Sequence, residues 1–235
     1  MTERDLERLA SYIPDLAGGL AYTILLTPLA MSLATLLGVL FAVALNSRLT
    51  WLRRGVQWFI AVARSIPELV HVFLWYEALA IMGLVLPALV AGVSALAVVF
   101  GAFLGEVIRA SILSVEPTQW ESGQVLGMSR ATIWRRVILP QAMRNVLPVW
   151  SSYYVSMYKA TALLGLITVP DLLFRARGLA TQNFRVFEIY LIVLIIYFIV
   201  GTLSLRIIRW YERRLRVDFP KAEARDILRP FPEVT

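Results

Sequence analysis

The chain has 235 residues, 59% hydrophobic and only 17% charged, with a net charge of +7 and a mean hydropathy of +0.70. A soluble domain is usually about half apolar and about a quarter charged, so this composition argues against one. Cysteine is absent, which excludes disulfides and thiolate metal sites.

Apolar runs of about 20 residues, enough to cross a hydrocarbon core of about 30 Å, recur along the chain. They predict one all-α membrane domain over residues 1–235. The opening "MTERDLERLASYIPDL" holds four acids and two arginines, whereas a cleavable signal peptide needs a basic start. Residues 1–17 are therefore read as an external helix or tail and the first span, about Gly19–Leu45, as an uncleaved anchor. "NSRLTWLRR" ends it. A short interfacial helix, Trp51–Arg64, is expected next, because Pro67 breaks an otherwise overlong helix. In "SIPE" Ser65 fits an N-cap and Glu68 its capping-box partner. Further spans are predicted at about Ile66–Gly83, Pro87–Ile108, Leu147–Ile167 and Phe187–Ile208, with a tail over 214–235.

Five spans put the termini on opposite sides. Seventeen basic residues follow spans one, three and five, against five on the other side. The positive-inside rule puts the seventeen in the cytoplasm and the N-terminus outside. The basic residues are spread over three segments without a recognition motif, which argues against nucleic acid as a partner.

Residues 121–142, "ESGQVLGMSRATIWRRVILPQA", lie on the basic side. Val125, Leu126, Met128, Ile133, Trp134, Val137 and Ile138 recur every three to four positions with arginines between them, the pattern of an amphipathic helix. Gly127 reads as a helix end, Ser129 as a new N-cap and Pro140 as the turn back to the membrane. Such a segment either lies on anionic lipid or docks its apolar ridge in a partner's groove.

The spacing Glu121…Gly127…Val137-x-Leu139-Pro140 resembles the EAA loop of permease subunits of ABC (ATP-binding cassette) importers. Ser122 and Gly123 stand where that family usually has alanines, and Val137 where it has isoleucine. "ARSIPELVHVFLWY", "GEVIRASILSVEPTQWESGQVLGMS", "LPQAMRNVLP" and "TALLGLITVPDLL" are similar to stretches of the polar amino acid (histidine/glutamine/glutamate-type) permeases. The resemblance implies a type I importer permease with five transmembrane helices and a cytoplasmic coupling helix over 121–140. It implies an ATPase subunit dimer, a second homologous or identical permease subunit and an extracytoplasmic substrate-binding protein as partners, in a bacterial inner membrane. It assigns ATPase coupling to Glu121, Gly127, Met128, Ile133, Val137, Leu139 and Pro140.

No G-x-x-x-x-G-K-[ST] occurs, and neither lysine, Lys159 or Lys221, follows a glycine. No phosphate-cradling loop of that kind is thus present, and ATP and Mg are expected on the partner ATPase, with no cofactor bound by this chain. His71 is the single histidine, so neither a hydrolytic triad nor a histidine metal cluster is expected, and the chain reads as a transport subunit rather than an enzyme.

Ionisable groups at membrane depth usually face a bundle interior or a water path. Glu68, His71, Trp75, Tyr154 and Lys159 are the candidates for a substrate path. Glu68 also fits an i,i+4 partner of Arg64, His71 a packing residue, and Glu106 a partner of Arg109. Lys159 lies near mid-span, where the family commonly follows it with Asp and this chain has Ala160. A substrate carboxylate, Glu68 or Glu77 could supply its counter-charge. The segment 168–184, "TVPDLLFRARGLATQNF", is expected outside as a lid, with Arg175 and Arg177 solvated or facing a binding protein. A polar amino acid is the expected cargo, an opine or compatible solute the alternative. An ion-coupled secondary transporter is a weaker reading, because no inverted repeat is visible; a membrane scaffold would need neither Lys159 nor the docking helix.

Overall fold

A computed structural model describes residues 3–215, which are helical or in short connections. The expected tail from 216 onward lies outside the described residues. The elements are α1 (Glu3–Leu45), α2 (Thr50–Ser65), α3 (Glu68–Ile81), α4 (Ala88–Leu113), α5 (Pro117–Val125), α6 (Arg130–Ile167), α7 (Leu172–Asn183) and α8 (Val186–Leu215). α1, α4 and α8 each carry a stretch long and apolar enough to cross a membrane. Counting each of the bent pairs α2–α3 and α6–α7 as one span gives up to five, the predicted total.

The centre is α1 against α4. Ala30, Met31 and Ala34 of α1 meet Leu96, Ala97, Phe100 and Leu104 of α4, all buried. Small residues permit the close approach. A Cβ on Gly38 would sit 2.7 Å from Leu104 Cβ, and one on Gly105 2.8 Å from Phe41 Cβ. Val72 of α3 and Met157, Leu164 and Ile167 of α6 complete this core.

α1 has 43 residues, about 65 Å at 1.5 Å per residue. The boundary expected between an external tail and the first span is absent, and Pro14 and Pro28 lie inside the helix. Tertiary packing offsets their cost: Tyr12 and Leu16 are buried against Leu172 and Ala176 of α7 and Ile189 and Val193 of α8.

The break at Pro67 is present, and α3 leaves α2 at 106°. The capping box is not. Ser65 ends α2 and its hydroxyl donates to Ala61 O at 2.7 Å. Pro67 stands at the N-cap and Glu68 is the first helical residue of α3, where its charge favours the helix dipole. His71 spans the bend, its Nε2 3.0 Å from Ala63 O. Arg64 pairs with Glu106 and stacks 4.9 Å over the Phe103 ring. Thus Glu106 takes Arg64, rather than Arg109, and Arg64 takes Glu106, rather than Glu68. The interhelix partner wins because α2 lies across the end of α4.

α7 is a pinned element rather than a free lid. Its Leu172, Ala176 and Ala180 are buried between α1 and α8, and Arg175 pairs with Asp15 of α1 at 3.6 Å. Arg177 alone of the two arginines is exposed. Asp171 caps α7, its Oδ1 accepting from Phe174 N–H at 2.8 Å.

Candidate functional site: a helical hairpin and a polar strip

α5 and the start of α6 form a hairpin beyond the end of α4. Pro117 supplies a first-turn residue that needs no N–H partner. At its other end Gly127 adopts φ +69°. Gly127 N–H donates to Gln124 O (2.9 Å) and Met128 N–H to Gly123 O (3.0 Å), the paired bonds of a Schellman stop. Ser129 then caps α6 through Thr132 N–H at 3.3 Å. The bend and restart read from Gly127 and Ser129 are both present.

Pro140 does not turn the chain. α6 runs unbroken from Arg130 to Ile167, with a π turn at Trp134–Ile138 just before the proline. The wider turn accommodates the missing donor and the ring that would otherwise clash with the preceding turn.

The apolar residues divide into two sets. Ile133 and Ile138, each 0% exposed, pack with Val115 and Ala142. Met128 and Val137 pack against the same cluster, and the Trp120 and Trp134 rings lie 5.8 Å apart, tilted by 42°. Ile133 fits directly on Gly123, where an added Cβ would meet it at 2.8 Å. The glycine in place of the family's alanine thus has a packing reason. Ile133, Met128 and Val137 hold the hairpin together from within. The most exposed apolar residues are Val125 and Leu126, 87% and 77% exposed at the tip, with Trp134 and Leu139 exposed further along. Glu121 is exposed on α5 and makes no ion pair among the described residues. Two bonds tie the hairpin to the span: Asn145 Nδ2 donates to Ser114 Oγ (2.9 Å) and Gln141 Nε2 to Gln119 Oε1 (3.3 Å).

The five path candidates do not share one environment. Trp75, in a π turn at Leu74–Ala78, and Tyr154 are partly buried on the central core. His71 is buried against α2, and Glu68 is partly exposed at the start of α3. Lys159 is exposed on the isolated chain and pairs with neither Glu68 nor Glu77 among the described residues. Two serines that sequence reading passed over, Ser152 and Ser156, share its face at i, i+4 and i+7. Both are exposed, with hydroxyls bonded back to Pro148 O (3.2 Å) and Ser152 O (3.1 Å). Their only sequence signal is that spacing.

The family model for the inner membrane component of binding-protein-dependent transport systems matches residues 34–217. The L-cystine transport system permease protein TcyB of Bacillus subtilis (strain 168) is 34% identical over 87% of this chain and 88% of its own length. The octopine transport system permease protein OccM of Rhizobium radiobacter is 31% identical over 85% and 87%. A chain in the crystal structure of an amino acid ABC transporter with histidines superposes with a TM-score of 0.84 at 36% identity, covering 91% of this chain and all 100% of that one. An all-helical chain of up to five spans, interrupted by a tethered hairpin, has the architecture of these permeases, and it belongs to the family of binding-protein-dependent transport system inner membrane components, as a permease subunit of an ABC importer.

Proposed function

We propose that this permease carries a polar amino acid, or an amino-acid derivative of the opine kind, along a path bordered by Ser152, Ser156 and Lys159. The observation that carries this reading is the exposed polar strip on an otherwise apolar span. An ammonium facing lipid at mid-span costs about 2.5–3.5 kcal/mol, so this face must border water or a second permease subunit. Among the described residues Lys159 has no carboxylate partner, and the carboxylate of an amino acid is the complementary group. The relatives that transport cystine and octopine support the cargo class. Trp75 and Tyr154 shape the wall of the path, while Glu68 and His71 set the bend that positions α3.

On this reading the hairpin tip docks on a separate ATPase, which holds ATP and Mg. Glu121 contacts basic or backbone groups there, and Val125 and Leu126 fill an apolar cleft. Gly127 and Pro140 fix the shape, and Met128, Ile133 and Val137 make the hairpin rigid. The basic side of the membrane, which includes the hairpin, is cytoplasmic, and a binding protein delivers cargo on the other side.

Uptake by the reconstituted complex tests the path. A charge-assisted contact is worth about 1.5–3 kcal/mol, so Lys159→Met should lower uptake at sub-saturating substrate about tenfold or more, with ATPase co-purification intact. Unchanged uptake would remove Lys159 from the path.

A further inference from the structure

Three arginines converge where α1, α2 and α4 meet. Arg53 and Arg54 of α2 and Arg109 of α4, with Asn46 and Gln57, line a cavity of about 390 Å³, within the usual ligand range of about 300–1,000 Å³. Among the described residues no carboxylate lines it. Arg109 Nε is buried without an acceptor, and Glu106, the nearest acid along α4, is committed to Arg64. Three like charges in one cup repel one another unless an anion joins them.

A second cavity, about 600 Å³, adjoins the first at Asn46. Its wall is mainly apolar, from Val39 and Val43 of α1, Ile108 and Ile112 of α4 and Leu139 of α6, with Ser47 and Arg135 also lining it. α2, which lines the first cavity, also exposes Trp51 and Trp58, residues that favour the membrane–water boundary. A cationic cup joined to an apolar groove at that depth is complementary to an amphiphile, and a free inorganic anion would use only the cup.

We propose that the cup binds the phosphate headgroup of an anionic phospholipid, with an acyl chain in the adjoining groove. The site lies against the π turn that leads into the hairpin, so an occupied groove braces the root of that hairpin. It requires neither a particular cargo nor a particular orientation of the chain.

Native mass spectrometry of the full-length chain, in micelles doped with phosphatidylglycerol or with phosphatidylcholine, tests this. Wild type should retain phosphatidylglycerol about tenfold better than phosphatidylcholine, and Arg53→Gln with Arg54→Gln should remove that preference. Arg109→Gln should weaken it too. Arg48→Gln, a nearby exposed arginine outside the cup, should leave it unchanged. Equal retention of the two lipids would overturn the proposal, as would an equal loss on Arg48→Gln, which would mean diffuse surface charge. Displacement of the lipid by inorganic phosphate would reassign the cup to a free anion and overturn it as well.

Discussion

Replacing Gly127 with proline should separate the permease from its ATPase while leaving the spans folded. Gly127 sits at φ +69°, and proline is confined near −65°. Its N–H also donates to Gln124 O at 2.9 Å, a bond proline cannot make. The two losses together cost about 3 kcal/mol or more, concentrated where α5 must stop and α6 restart. The hairpin core of Ile133, Ile138 and Ala142 would then lose its register against Gly123. The expected readout is loss of ATPase co-purification with normal membrane yield. Gly127→Asn provides the contrast, because asparagine adopts the left-handed conformation readily and should retain the complex.

Gly105→Leu should act on the other half of the molecule, the spans themselves. The Cβ it introduces falls 2.8 Å from Phe41 Cβ, an atom fixed to the α1 backbone and unable to swing aside. The α1–α4 crossing must open, and every buried contact from Ala30 to Leu104 loosens with it. Overpacking of this kind costs about 1–3 kcal/mol, and a rigid backbone neighbour puts leucine at the upper end. Thermal unfolding in micelles should show a large drop in midpoint. Gly178→Ala, with nothing within 4 Å of the added Cβ, should be neutral or slightly stabilising, since alanine is the better helix former.

These predictions show how unevenly structure could be read from the residues. Span lengths and the Pro67 break were legible because apolar runs and a missing donor act locally. Gly127 and Ser129 were legible for the same reason: backbone conformation and capping are decided within a turn. The continuity of α1 through Pro14 was not, because it depends on Tyr12 and Leu16 packing against α7 and α8, far away in the chain. Nor was the continuity of α6 through Pro140, which rests on a π turn whose residues carry no propensity signal. Ser65 fitted a cap by spacing, yet the extended backbone at Ile66 and Pro67 moves the helix start beyond its reach. Periodicity identified Ile133 as apolar but could not say whether it faced inward or toward a partner. Its contact with Gly123 decides that, and only a folded hairpin shows it. Ser152 and Ser156 were invisible as a strip until the buried face of α6 was known.

Because the chain has no cysteine, a single introduced one is a unique reporter, and Leu126→Cys at the exposed hairpin tip gives the most direct test of docking. In the assembled importer, a photoactivatable cross-linker on that residue should join the permease to the ATPase subunit, more efficiently with nucleotide bound than without. Cross-linking to lipid alone, with no polypeptide partner in either state, would contradict the assignment of this hairpin as the mechanical link between ATP hydrolysis and the pore.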